Sequence, residues 1–126
     1  MKKRNQIRLA IVDDAPFIRE VIRTIVENEK SLLLVGEAQN GEEAVELAKS
    51  CDIDVMIMDL VMPVKNGIDA TLEILAMKPN LKIIACSTVD QETMVMKALD
   101  SGCCSYLVKP FEAQQLVQLI VKSFSE

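Results

Sequence analysis

The sequence predicts an α/β fold: a doubly wound, five-stranded parallel sheet in the order 2-1-3-4-5, flanked by five helices. Two observations predict it. Five short apolar runs alternate strictly with five helical patterns, a rhythm that calls for parallel strands joined by right-handed crossovers. The runs are β-branched and aliphatic without clean two-residue alternation, which indicates strands covered on both faces. The strand candidates are residues 7–12, 32–37, 54–59, 82–87 and 105–108.

Each intervening segment carries an apolar stripe at three- and four-residue spacing. The first is Phe17, Ile18, Val21, Ile22, Ile25 and Val26, and the second, after Gly41, is Ala44, Val45, Leu47 and Ala48. Ile68, Thr71, Leu72 and Leu75 make the third, and Met94, Val95, Ala98 and Leu99 the fourth. Leu116, Leu119, Ile120 and Phe124 close the series. Gly41 and Gly102 mark turns, Pro79-Asn80 ends a helix, and Pro63 and Gly67 bracket a loop. Met94 and Met96 stand two apart on one helix, so one faces the core and the other faces outward.

The 126 residues read as one domain, 1–126, with half of them hydrophobic and only four aromatic, so the core is aliphatic. A net charge of −5 argues against direct nucleic-acid binding, which needs a basic surface. The basic start, Met1 to Arg4, leads straight into a strand and reads as neither secretion signal nor membrane anchor. No apolar run approaches the roughly 18 residues that span a bilayer, so no membrane insertion is expected. Cys51, Cys86, Cys103 and Cys104 show no CxxC spacing, and the chain has no histidine. Reduced thiols in a cytoplasmic protein are the expected reading.

The charged residues at the strand ends carry the chemistry. Asp13-Asp14 closes IRLAIVDD, Asp59 closes DVMIMDL, and Lys109-Pro110 closes SYLVKP. In an open parallel sheet these ends gather on one edge, and the 2-1-3-4-5 order opens a crevice between strands one and three. Three carboxylates and an ammonium collected there repel and desolvate one another unless a cation and an anion share the site. That combination points to a divalent metal and a phosphoryl group.

In VDDAPFIR, GEAQNGEEAVE, DVMIMDLVMPVKNGIDA, KIIACST and ALDSGCCSYLVKPF, taken in order, the chain resembles the receiver domain of two-component response regulators, from Ile7 to about Phe124. The stand-alone, chemotaxis-type members are the nearest in pattern. The resemblance implies a phosphorylation-activated signalling switch rather than an enzyme, although such domains catalyse their own phosphorylation and dephosphorylation. Asp59 matches the phosphoacceptor, fed by a sensor histidine kinase or a phosphotransfer protein. Asp13, Asp14, Asp59 and the backbone carbonyl of Val61 match the Mg²⁺ ligands, Asp14 directly and Asp13 through water. Ser87 matches the hydroxyl that meets the phosphoryl group, Lys109 the ammonium that pairs with it, and Tyr106 the aromatic switch. Thr88 is bulkier than the small residue often found there, which implies slower phosphoryl loss. The implied output is protein contact through the face of the fourth helix, fifth strand and fifth helix.

Each residue also has a plainer reading. Asp14 before Ala15-Pro16 reads as a helix N-cap, and Ser87 and Thr88 as caps of the fourth helix. Lys109 reads as a solvated surface lysine, and Tyr106 as a gap-filler in an aliphatic core. Other functions compatible with the same chemistry are a receiver cut from a longer regulator with a DNA-binding or enzymatic output, a Mg²⁺-dependent aspartyl-phosphate phosphohydrolase, and a pseudo-receiver that only scaffolds.

Overall fold

The computed structural model describes residues 6–126, so the basic start, Met1 to Arg4, lies outside the described residues. Ten elements alternate: β1 (Ile7–Val12), α1 (Pro16–Glu27), β2 (Leu32–Ala38), α2 (Gly41–Ser50), β3 (Val55–Asp59), α3 (Gly67–Met77), β4 (Lys82–Ser87), α4 (Glu92–Ser101), β5 (Ser105–Val108) and α5 (Ala113–Ser125). The five strands form one sheet in the order β2-β1-β3-β4-β5, every pairing parallel. The predicted strands hold to within a residue at each end. The second runs on to Ala38, and the third begins at Val55.

Alternation along the strands sorts two cores. Ala10, Val12, Met56, Met58, Ile83 and Ala85 point to the side covered by α2, α3 and α4. Leu9, Ile11, Val55, Ile57, Ile84 and Cys86 point to the side covered by α1 and α5. Because both faces are buried, β1, β3 and β4 read as continuous apolar runs, and the polar alternation of a one-sided sheet never appears.

The helices bury narrower arcs than their stripes imply. On α1 the buried residues are Ile22 and Val26, while Phe17 is 71% exposed and Val21 lies at the margin. On α3, Thr71 and Ile74 turn inward and Leu72 faces solvent. On α5, Ser123 is buried where Phe124 was expected, and on α4 Leu99 is exposed beside a buried Ala98. A helix turns about 100° per residue, so residues at the edge of a wide stripe leave the contact arc. Met94 packs on the core and Met96 is half exposed, one facing each way as expected. All four cysteines are unpaired, and burial pushes the Cys103 thiol up and the Cys86 thiol up to about 12.

The helix starts near the site are fixed by side chains. Asn40 accepts the Glu43 amide at 2.8 Å, and Glu43 reaches back to the Gln39 amide at 3.1 Å, a reciprocal cap on α2. Asn66 caps α3 by accepting the Asp69 amide at 2.9 Å. Gly67 then brings α3 against the end of β3. A Cβ there would stand 2.1 Å from the Asp59 carbonyl oxygen, so no other residue permits that approach.

Candidate functional site

Strand ends β1, β3, β4 and β5 converge as predicted. Asp13 and Asp14 follow β1, Asp59 ends β3, Ser87 ends β4, and Lys109 follows β5 with a cis bond to Pro110. One carboxylate oxygen from each of Asp13, Asp14 and Asp59 lies within 4.8 Å of the others. Asp13 and Asp59 are buried and Asp14 is exposed, so the cluster opens to solvent on the Asp14 side.

Asp13 is held at every polar atom. Its Oδ1 accepts the Ala15 amide at 2.9 Å and its Oδ2 accepts Lys109 Nζ at 2.6 Å. Its backbone amide donates to the Ala38 carbonyl at 3.1 Å, and its carbonyl accepts Arg19 Nη1 at 2.7 Å. Lys109 Nζ stands 3.7 Å from Asp59 Oδ1, with only 11% of its side chain exposed. A solvated surface lysine does not sit this way.

Burial pushes the Asp59 carboxyl up to about 6, and the neighbouring charges of Asp13 and Asp14 push in the same direction. The Lys109 ammonium and a hydrogen bond from the Val61 amide offset part of this. Burial pulls the Lys109 ammonium down, but its hydrogen bond to Asp13 and the charges of Asp59 and Asp13 outweigh that pull. The net shift is upward. Lys109 therefore stays charged, and it is the cation these carboxylates share.

Ser87 is buried, and its Oγ accepts the Val89 amide at 3.1 Å. Thr88 is exposed beside it. Neither caps α4, which begins at Glu92 after Gln91. Nor does Asp14 cap α1, whose N-cap is Ala15, with no side-chain cap. Tyr106 packs against the core and donates its hydroxyl to the Val89 carbonyl. Ser87 and Tyr106 thus grip the two sides of one residue in the loop after β4. Val61 is exposed at the rim, with its amide turned to Asp59.

The profile of the response regulator receiver domain matches residues 9–121. The chain belongs to that family. It is a CheY-like receiver domain of a two-component system. It is 43% identical to the chemotaxis protein CheY of Thermotoga maritima over 91% of this chain and 95% of that protein. It is 34% identical to the transcriptional regulatory protein DegU of Brevibacillus brevis, spanning 92% of this chain but 49% of the longer relative. Among solved structures it superposes, with a TM-score of 0.87 and 25% identity, on the receiver domain of a Pseudomonas aeruginosa sensor histidine kinase. That match covers 96% of this chain and 99% of the other, whose active-site cleft coordinates a magnesium ion.

Three residues to which the sequence assigned no part in the site support it. Gly67 backs Asp59, Arg19 holds the Asp13 carbonyl, and Glu37 holds Arg19. Gly67 read only as loop punctuation, and Arg19 and Glu37 stood within VDDAPFIR and GEAQNGEEAVE without a role of their own.

Proposed function

We propose that residues 1–126 act as one receiver domain that takes a phosphoryl group on Asp59 and signals through protein contact. The observation that carries this reading is a buried carboxylate facing a buried ammonium, with two further carboxylates within 4.8 Å. In the transfer, an Asp59 oxygen forms a bond to phosphorus while the bond from phosphorus to a histidine nitrogen of the donor breaks. The electron pair leaves with the imidazole, which then takes up a proton. Asp59 needs no general base, because its ionised form has no proton to lose.

The donor set fits Mg²⁺. It is all oxygen, crowded with negative charge and open on the Asp14 side, which suits an ion that keeps several waters. Asp13, Asp14, Asp59 and the Val61 carbonyl would hold it, and bound there it supplies positive charge against the repulsion between carboxylate and phosphoryl group. Lys109 adds a second cation beside Asp59, and the Val61 amide is a preorganised donor at the same point. Once phosphorylated, Asp59 draws Ser87 away from the Val89 amide, and Tyr106, bonded to the same residue, follows the loop. The shift in population falls on the α4–β5–α5 face, where a downstream protein docks. A sensor kinase or phosphotransfer protein as donor, chemotaxis as pathway and the cytoplasm as location agree with the CheY relatives. No helix among the described residues is long and apolar enough to cross a membrane.

The test is intact-protein mass spectrometry with a small acyl-phosphate donor, with and without Mg²⁺. One Mg²⁺-dependent phosphoryl adduct is expected, absent in Asp59→Asn. An adduct that persists in the variant, or none in the folded parent, overturns the reading.

Thr88 stands exposed next to Ser87, and the receiver reading gives its side chain the role of restricting water at a phosphorylated Asp59. Thr88→Ala is expected to speed phosphoryl loss severalfold, read as phosphate release after donor removal. Equal or slower loss in the variant refutes this role.

A further inference from the structure

The Asp13 carbonyl lies where β1 has ended and α1 has not begun, and the Arg19 guanidinium takes it at 2.7 Å. Arg19 is braced in turn by Glu37, with Nε 3.4 Å from Oε1. Arg23 clamps Glu37 with a two-pronged contact, Nε to Oε2 at 2.7 Å and Nη2 to Oε1 at 2.9 Å. Glu37 is the penultimate residue of β2, and the next, Ala38, accepts the Asp13 amide. The end of the edge strand thus fixes both backbone groups of Asp13, one directly and one through Arg19.

We propose that Arg19, braced by Glu37 and Arg23, is a positioning residue that sets the divalent-cation affinity of the acidic pocket by fixing the Asp13–Asp14 peptide. The inference rests on the receiver reading. Outer partners that orient metal ligands commonly change affinity by 10- to 100-fold when removed. Arg19 touches no ligand oxygen of a side chain; it acts on the peptide that aims two of them. The planar fork suits this task, since one guanidinium bonds the carbonyl while another edge meets Glu37.

The sign of the effect separates positioning from charge. As a cation near a cation site, Arg19 weakens Mg²⁺ binding by repulsion, so on charge alone its removal tightens binding. As a positioning group, its removal loosens binding.

Mg²⁺ titration calorimetry on the whole chain decides between them, with thermal melts to show that each variant is folded. Arg19→Gln is expected to raise the dissociation constant about tenfold. Arg19→Lys keeps the charge but not the fork, so its smaller rise, roughly threefold, is purely geometric. If Arg19→Gln does not fold, Arg19→Lys carries the test. Unchanged or tighter Mg²⁺ binding in a folded variant overturns the positioning role and leaves the receiver reading intact. Absence of Mg²⁺ binding in the parent overturns the receiver reading itself.

Discussion

Asp59→Asn is expected to stabilise the metal-free protein by about 3 kcal/mol at pH 7.5 and by only about 0.5 kcal/mol at pH 4. The carboxyl is lifted from 3.8 to about 6, first by burial and then by the charge of Asp13. Well below pH 3.8 it is protonated whether the chain is folded or not, and no difference arises. As pH rises from about 4 to 6, the unfolded chain releases the proton while the folded one keeps it, so the folded state loses ground. Above pH 6 both are ionised, and the full penalty of about two pKa units stands, at about 1.4 kcal/mol each. Asparagine keeps the shape and the acceptor for the Val61 amide while removing the charge. Urea unfolding of parent and variant at pH 4, 6 and 7.5 checks it. A gain equal at all three values would trace the effect to packing and refute the electrostatic account. Saturating Mg²⁺ should close the gap at pH 7.5, because a ligand of the folded parent stabilises it by mass action.

That penalty is itself a sign of function, and it was legible early. Nothing in local propensity requires acidic residues after IRLAIV and at the end of DVMIMD; their meaning came from the sheet edge on which alternating strands and helices place them. Strand limits were readable because β1, β3 and β4 are buried on both faces. The helix faces were less so. Phe17 and Leu72 fit an apolar stripe but fall outside the arc the sheet covers, which spacing alone does not define.

The supports of the site were hidden for a different reason. Arg19, Arg23 and Glu37 meet across the gap between α1 and the edge strand β2, a pairing set by the strand order rather than by nearness in the chain. Gly67 read as loop punctuation, because its close approach to the Asp59 carbonyl is a fact of packing. Val64 offers no cue to its conformation. It sits at φ 69°, a left-handed conformation that disfavours a β-branched residue, so its identity argues against the turn it makes. A segment can hold such a residue only when its surroundings impose the path. Here the Lys65 carbonyl binds the Gly41 amide at 2.8 Å, and the Lys65 side chain bonds Glu73 on α3.

Lys109→Met should act on Mg²⁺ in the direction opposite to Arg19→Gln. Lys109 touches the ligand carboxylates themselves, 2.6 Å from Asp13 and 3.7 Å from Asp59, and so competes with a metal ion for the same charge. Its loss leaves Asp13 and Asp59 buried and facing each other with no cation between them. Breaking a buried pair in this way costs about 3–5 kcal/mol, which the metal-free variant should show at pH 7.5. Lowering the pH to 5 should recover part of the loss, because without Lys109 the Asp59 carboxyl moves above about 6 and protonates sooner. Mg²⁺ should bind the variant roughly tenfold more tightly than the parent, since the ion then neutralises charge that Lys109 had already met. Calorimetry alongside the Arg19 variants reads both signs in one set of measurements. Weaker Mg²⁺ binding in folded Lys109→Met would mean that Lys109 orients Asp13 more than it competes for it. Opposite signs would separate the cation that neutralises the pocket from the cation that shapes it.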